Sequence, residues 1–248
     1  GARTDEASAI VARALDAGPG WLDPADVASL LDCYGFPLIP SRIVQDAEQA
    51  AAVASQWGTP VALKAIATGL LHKSDAGGVR LALQGDEEVM AGAHAIEQAL
   101  LDAGHRLEGL LVQPMAEPGV ELLMGVVHDE SFGPVIACGA GGTSVEVLGD
   151  VAVRITPLSD LDAHEMLRSL RIFPLLDGYR GAAVCDVAAL EDLLARMSAL
   201  VEAHPEVLEL DANPVVAGPG GAMILDARVR LAPVAAARPL PSLSTRAQ

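Results

Sequence analysis

Only two of the 16 basic residues are lysines, Lys64 and Lys73. An ammonium is a compact point charge, whereas a guanidinium spreads its charge over a broad fork. In a chain otherwise rich in Ala and Arg, two retained lysines point to an anion that needs the compact charge; chance survival is the plain alternative. Lys73 sits in His72-Lys73-Ser74-Asp75-Ala76-Gly77-Gly78. A Gly-Gly loop between two strands brings backbone N–H groups close to a phosphate chain. Lys73 adds charge there, and Lys64, facing out of the preceding strand, reaches the same anion. The spacing G-x-x-x-x-G-K-[ST] is absent, so this is not a P-loop. An ordinary glycine hairpin with surface charges carries the same residues, and His72 reads either as a nucleophile or as a surface histidine.

A second constellation lies near the C-terminus. Ala217-Gly218-Pro219-Gly220-Gly221 is a turn between two apolar runs. A hairpin symmetric about Pro219-Gly220 puts Asn213 opposite Asp226, with directly opposed Cβ atoms about 5 Å apart. Asp211 and Glu209 alternate onto the face of Asn213. Oxygens gathered without thiols or imidazoles suit a hard cation such as Mg²⁺, which takes one or two carboxylates plus phosphate and water. The competing reading is a solvated strand face, and a one-residue slip in register dissolves the cluster.

Three further segments carry weaker signals. Gly139-Ala140-Gly141-Gly142-Thr143-Ser144-Val145-Glu146 follows a strand, yet the third glycine of a dinucleotide fingerprint falls at Ser144 and no long amphipathic helix follows. That fingerprint is rejected; phosphate or effector contacts remain compatible. Gln113-Pro114-Met115 joins the strand beginning at Val120, where backbone groups can border a purine and Glu121 can meet ribose hydroxyls; a plain turn fits equally. Arg180 in Gly178-Tyr179-Arg180-Gly181 is an anion ligand or a solvated side chain.

The elements that must position these residues are interleaved helices and strands. Asp23-Pro24 predicts a helix start with Val27, Leu30, Leu31 and Tyr34 on one face. A strand is expected near Ile39 to Val44, and a helix capped by Asp46 and ended by Gly58. Pro60 to Ile66 is a strand with Val61, Leu63 and Ala65 on one face and Ala62, Lys64 and Ile66 on the other. Strand Val79 to Leu83 and a helix opened by Asp86 precede strands at 107–115, 120–128, 134–138 and 151–155. Helices are expected near 160–170 and 186–203, then the hairpin 207–216 and 222–231. Several strand pairs are separated only by short turns, which predicts an α+β fold with mainly antiparallel sheets rather than a doubly wound parallel sheet.

The 248 residues leave room for one large domain or two small ones. The hydrophobic content of 51% is ample for a core. A net charge of −17 repels nucleic acid and anionic membranes alike. No run reaches the ~18 apolar residues of a membrane span. Cys33, Cys138 and Cys185 fit neither a disulfide framework nor a zinc site, which predicts reduced thiols and a cytoplasmic location. The expected domains are a leader or linker over 1–22, an N-terminal subdomain over 23–110, a C-terminal subdomain over 111–232 and a mobile tail over 233–248. The chain lacks an initiating Met and is expected to be a piece of a longer protein or a separate subunit.

In order along the chain, Leu31 to Pro37, Pro60 to Lys64, His72 to Val79, Val112 to Met115 with Glu121, Phe132-Gly133-Pro134, Gly139 to Glu146, Gly178 to Gly181, Glu209 to Pro214 and Asp226-Ala227-Arg228 resemble the ATP-grasp domain of ADP-forming acyl-CoA synthetases, relatives of succinyl-CoA synthetase. The resemblance covers about residues 24 to 231 and implies an ATP-grasp fold of two α+β subdomains gripping ATP between them. It implies that Lys64 holds the α- and β-phosphates and that the loop with Lys73, Ser74, Gly77 and Gly78 closes over the triphosphate. By the same resemblance Gln113, Pro114 and Met115 would bound the adenine and Glu121 would meet the ribose, and Arg180 is a further candidate for the nucleotide. It implies that Asn213 and Asp226 bind Mg²⁺, with Asp211 a weaker candidate. His72 resembles a phosphoryl carrier, relaying phosphate between bound ATP or ADP and a histidine on a CoA-binding domain or α subunit, which also handles the acyl-CoA. Ala67-Thr68-Gly69 stands where the family often has Pro-Asp. The reading from another class is a non-catalytic ATP- or ADP-sensing module of a multidomain regulator such as a fused acetyltransferase.

Overall fold

A computed structural model describes residues 2–69, 76–129, 131–142 and 149–234. The chain divides into two compact units, Gly1–Pro37 with Val120–Gln248, and Leu38–Gly119. Every strand pair among the described residues is antiparallel, as the short inter-strand turns predict.

The smaller unit is a four-stranded sheet with two helices on one face. Strands β2 (Arg42–Val44), β5 (Gly109–Pro114), β3 (Val61–Ile66) and β4 (Val79–Leu83) lie in that order. Helix α3 (Ala47–Trp57) starts where the Asp46 carboxylate accepts the Gln49 N–H at 2.8 Å, and stops at Gly58 in the left-handed region. Helix α4 (Gly85–Asp102) begins one residue before Asp86, which accepts a hydrogen bond from the Ser55 hydroxyl instead of capping the helix. Ala50, Ala54, Val89, Ile96 and Leu100 of these helices bury against Val61, Leu63, Ala65, Leu110 and Val112. Alternation along β3 therefore turns Lys64 away from that core.

The larger unit is a seven-stranded sheet. Its main order is β1 (Gly20–Trp21), β11 (Ala227–Leu231), β9 (Val207–Gly218), β6 (Val120–Asp129), β7 (Gly133–Ala140) and β8 (Val151–Ile155), with β10 (Gly221–Ile224) also paired to β9. Helix α7 (Val187–Ala203) packs on β6, β7, β9 and β10. Its Leu190, Leu194, Met197 and Val201 and the sheet's Leu122, Met124, Val126, Ile136, Leu210 and Ala212 are fully or almost fully buried. Burying each of the Leu, Ile, Val and Met side chains among these contributes about 1.5–3 kcal/mol. Helix α5 (Asp160–Ser169) starts with a Ser159/Asp162 capping box. Helix α6 (Phe173–Leu176) is too short to leave a periodic trace in the sequence.

The division differs from the expected one in two places. The inner boundary falls at Gly119/Val120, and the first 37 residues join the larger unit. Residues 1–22 are built into it: α1 (Thr4–Ala17) buries Ala7, Ile10 and Val11, and β1 is the sheet's edge strand on β11. Helix α2 (Pro24–Cys33) opens as expected, with the Asp23 carboxylate accepting the Ala25 and Asp26 N–H groups at 2.9 Å. Of the expected mobile tail, residues 235–248 lie outside the described residues.

Candidate nucleotide and metal site

In the smaller unit, Lys64 and Gln113 share the sheet face opposite the helices. Lys64 stands across from Leu111 on one side and Val79 on the other, and Gln113 across from Ala62. Lys64 is half-buried, and Gln113 is among the few buried polar side chains. The end of the glycine loop is pinned beside Lys64. The Ala65 N–H donates to the Gly78 carbonyl at 2.7 Å, and Arg80 donates to the Gly77 carbonyl at 2.9 Å. Gly77 adopts φ +69°, and a Cβ there would stand 2.9 Å from the Ala99 methyl, so both conformation and space demand glycine. His72, Lys73 and Ser74 lie outside the described residues. Pro114 stands opposite Val61, and the Met115 N–H donates to the Pro60 carbonyl at 2.9 Å.

In the larger unit, the hairpin has the register that a turn symmetric about Pro219-Gly220 predicts. Gly218 faces Gly221, Val215 faces Ile224, Ala212 faces Ala227 and Asp211 faces Arg228. Between these ladders the Asn213 N–H donates to the Asp226 carbonyl at 3.1 Å, and the Leu225 N–H to the Pro214 carbonyl at 3.0 Å. On the other side of β9, Leu122 pairs with Val215 and Met124 with Ala212, so Leu123 alone opposes Asn213 and Pro214. This bulge shifts the parity of burial: Leu210 and Ala212 point into the core before it, Val215 and Ala217 after it. Asn213 is thereby exposed beside Asp226. The Asn213–Pro214 peptide is cis.

Glu121 lies opposite Val216 on β6 and is exposed. Its carbonyl accepts the Gly141 N–H at 2.9 Å. A Cβ on Gly141 would come within 2.8 Å of the Glu121 carbonyl carbon, and one on Gly142 within 2.7 Å of Glu121 Oε2. Gly141 and Gly142 thus have a local reason, letting this turn close on Glu121, whereas Gly139 is needed where its strand approaches the Asp150 carbonyl. Residues 143–148 lie outside the described residues. Arg180 is exposed with φ +53°, unusual for a residue with a Cβ, between Gly178 and Gly181, and its guanidinium lies 5.2 Å from the Tyr179 ring centroid.

Asp211 and Glu209 do share the sheet face expected for them, but each has an arginine opposite. Asp211 pairs with Arg228 at 2.8 Å and Glu209 with Arg230 at 3.1 Å. Both guanidinium groups also lie over the Trp21 ring, at 5.2 and 5.9 Å from its centroid. The hairpin register already implied these pairs, since the symmetry that joins Asn213 to Asp226 joins Asp211 to Arg228. Strand alternation and the single opposition of Asp226 gather the oxygens; the arginines enter only when the same register is carried on along β11. Trp21 was missed because it precedes the expected subdomain.

The donor set fits magnesium. Among the described residues no group of three or more His, Cys, Asp or Glu could cage a metal. An amide oxygen from Asn213 and a carboxylate from Asp226 are hard ligands that leave most positions to phosphate and water. The thiols offer no competing chemistry. All three cysteines are free and buried, and desolvation, helped by the charge of Asp150, pushes Cys138 up to about 12.

Residues 13–231 match the model of the ATP-grasp domain family. The chain is 37% identical over 236 residues to an Archaeoglobus fulgidus acetate–CoA ligase (ADP-forming) I, covering 92% of this chain and 33% of that protein. It is 32% identical to the β subunit of acetate–CoA ligase (ADP-forming) I from Pyrococcus furiosus, covering 92% of this chain and 99% of that one. This chain is an ATP-grasp domain of the ADP-forming acyl-CoA synthetase family. The ATP-grasp domain thus spans a third of the length of the Archaeoglobus relative and nearly all of the Pyrococcus β subunit. It also superposes, with a TM-score of 0.78 and 34% identity, on a chain of the dinucleotide-forming acetyl-coenzyme A synthetase 1 of Ca. Korarchaeum cryptofilum. The match covers 91% of the ATP-grasp domain and all of that chain, whose structure holds coenzyme A and Mg-AMPPCP with a phosphohistidine segment pointing towards the nucleotide site. No helix among the described residues of the ATP-grasp domain is long and apolar enough to cross a membrane.

Proposed function

We propose that this ATP-grasp domain is the nucleotide-handling part of an ADP-forming acid–CoA ligase, and that it passes phosphate between ATP or ADP and a CoA-binding partner through His72. Lys64 carries the α- and β-phosphates, with Lys73, Ser74, Gly77 and Gly78 around the triphosphate. Gln113, Pro114 and Met115 border the adenine, Glu121 meets the ribose hydroxyls and Arg180 supplies a further cation. Asn213 and Asp226 hold Mg²⁺, which when bound offsets phosphate charge. The observation that carries this reading is the register placing Asn213 beside Asp226 at a bulge that exposes the amide, in a chain of this family.

Neutral imidazole is a good nucleophile near pH 7. A ring nitrogen of His72 attacks the γ-phosphorus, the bond to the bridging oxygen of ADP breaks, and ADP leaves with that electron pair. The imidazole proton passes to solvent. Catalysis is then positioning and charge compensation. The phosphoryl group moves on to a histidine of a CoA-binding domain or α-type subunit, where the acyl-CoA is made or consumed.

Incubation with Mg²⁺ and γ-³²P-ATP tests this. Acid-labile, alkali-stable label should appear on the chain and vanish in His72→Ala. A chain that binds ATP yet takes no label overturns the reading, as does robust acid- and CoA-dependent ADP release by the chain alone.

A further inference from the structure

Trp21, Asp211 and Arg228 come from three separate parts of the chain and meet on one face of the larger sheet. Asp211 and Arg228 are direct neighbours across β9 and β11. Their charged ends are 2.8 Å apart, with about a third of each side chain exposed. The Arg228 guanidinium is held on a second side by the Trp21 ring. Next to this pair Arg230 engages Glu209 and lies over the same ring. Two residues along each strand stand Asn213 and Asp226. Asp211 thus stands two residues along β9 from Asn213, the next carboxylate on that strand, and already has a cation opposite.

Recruiting Asp211 to a divalent ion would strip Arg228 of its partner while leaving its positive charge beside the metal. A planar guanidinium fixed by stacking and a carboxylate hydrogen bond is pre-organised for that pairing. We infer that Arg228 is a positioning residue that keeps Asp211 out of the magnesium site, so that Asp226 is its one carboxylate and metal binding depends on the phosphates of the nucleotide. This rests on the assignment of Asn213 and Asp226 as the metal ligands. With one carboxylate and one neutral amide, the protein alone holds Mg²⁺ weakly and the ion arrives and leaves with ATP or ADP.

Mn²⁺ titrations followed by electron paramagnetic resonance, with and without AMPPCP, read this without turnover. Arg228→Gln frees Asp211 and should tighten Mn²⁺ binding in the absence of nucleotide by fivefold or more. Arg228→Lys keeps the charge and should stay within twofold of the unaltered chain. The double variant Asp211→Asn/Arg228→Gln keeps a neutral hydrogen-bonding pair and should also stay within twofold, with and without AMPPCP. That variant decides the matter if Arg228→Gln alone does not fold. Unchanged or weaker binding by a folded Arg228→Gln overturns the inference, as does a loss beyond twofold in the double variant, which would make Asp211 a ligand. If instead Asn213→Ala/Asp226→Asn binds Mn²⁺·AMPPCP as the unaltered chain does, the metal assignment itself fails and this inference falls with it.

Discussion

The Asn213 N–H donates to the Asp226 carbonyl at 3.1 Å across the gap between two ladders of one hairpin. That bond fixes the spacing of an amide and a carboxylate that neither strand could set alone. Asp226→Asn removes the carboxylate and should weaken Mg²⁺·AMPPCP binding at least tenfold, equivalent to about 1.4 kcal/mol. Far-UV circular dichroism should be unchanged, because the bond holding the strands is made by backbone. Isothermal titration supplies the affinity; a variant that binds Mg²⁺·AMPPCP normally would contradict the ligand role.

Lys64 stands between Leu111 and Val79 on a tightly paired strand. Lys64→Met should lower affinity for ATP and ADP by tenfold or more while changing affinity for AMP far less, since AMP lacks the outer phosphates. Lys64→Arg should not restore it, because the fork delivers its charge differently from an ammonium. Competition binding with the three nucleotides separates these outcomes. Equal losses for all three would place Lys64 away from the β- and γ-phosphates, on a part of the nucleotide that AMP shares.

The smaller sheet and the hairpin were legible for physical reasons. Alternation in Val61 to Ile66 told which side Lys64 faces because the helices cover only one face of that sheet. Gly-Pro-Gly-Gly was legible because turn chemistry fixes register over the few residues beside it. The bulge at Asn213-Pro214 was not, because it depends on Leu123 of β6, far away in sequence. Trp21 was not, because a two-residue edge strand has no period and acquires its place only from β11. The Asp211–Arg228 pair was legible in principle, since it needed only the same register applied once more.

Gly125 tests the packing of β6 on β9. A Cβ there would lie 2.7 Å from the Leu210 carbonyl oxygen, a backbone atom that cannot swing aside. Gly125→Ala should cost about 1–3 kcal/mol, lowering Tm by roughly 2–12 °C. Gly218→Ala is the control, with nothing within 4 Å of the added carbon and no positive φ. Differential scanning calorimetry compares them. A Gly125→Ala chain as stable as the control would mean that the two strands are less closely paired than their register indicates.

His204 is 2% exposed, its ring meets Tyr34 edge-on at 5.7 Å, and its Nε2 has no hydrogen-bond partner among the described residues. Burial lowers its pKa, opposed by the weaker pull of Glu206. The unfolded chain, with an ordinary histidine pKa of about 6.5, therefore takes up this proton before the folded one does. Stability linked to His204 is fully present above that value and drains away as pH falls below it towards the depressed folded pKa. Tm should accordingly decline between about pH 7 and pH 5, and His204→Phe, which keeps an aromatic ring against Tyr34, should decline less steeply over the same range. Parallel Tm–pH curves for the two chains would show that this imidazole is not protonated on unfolding, and would place the acid sensitivity on the carboxylates instead.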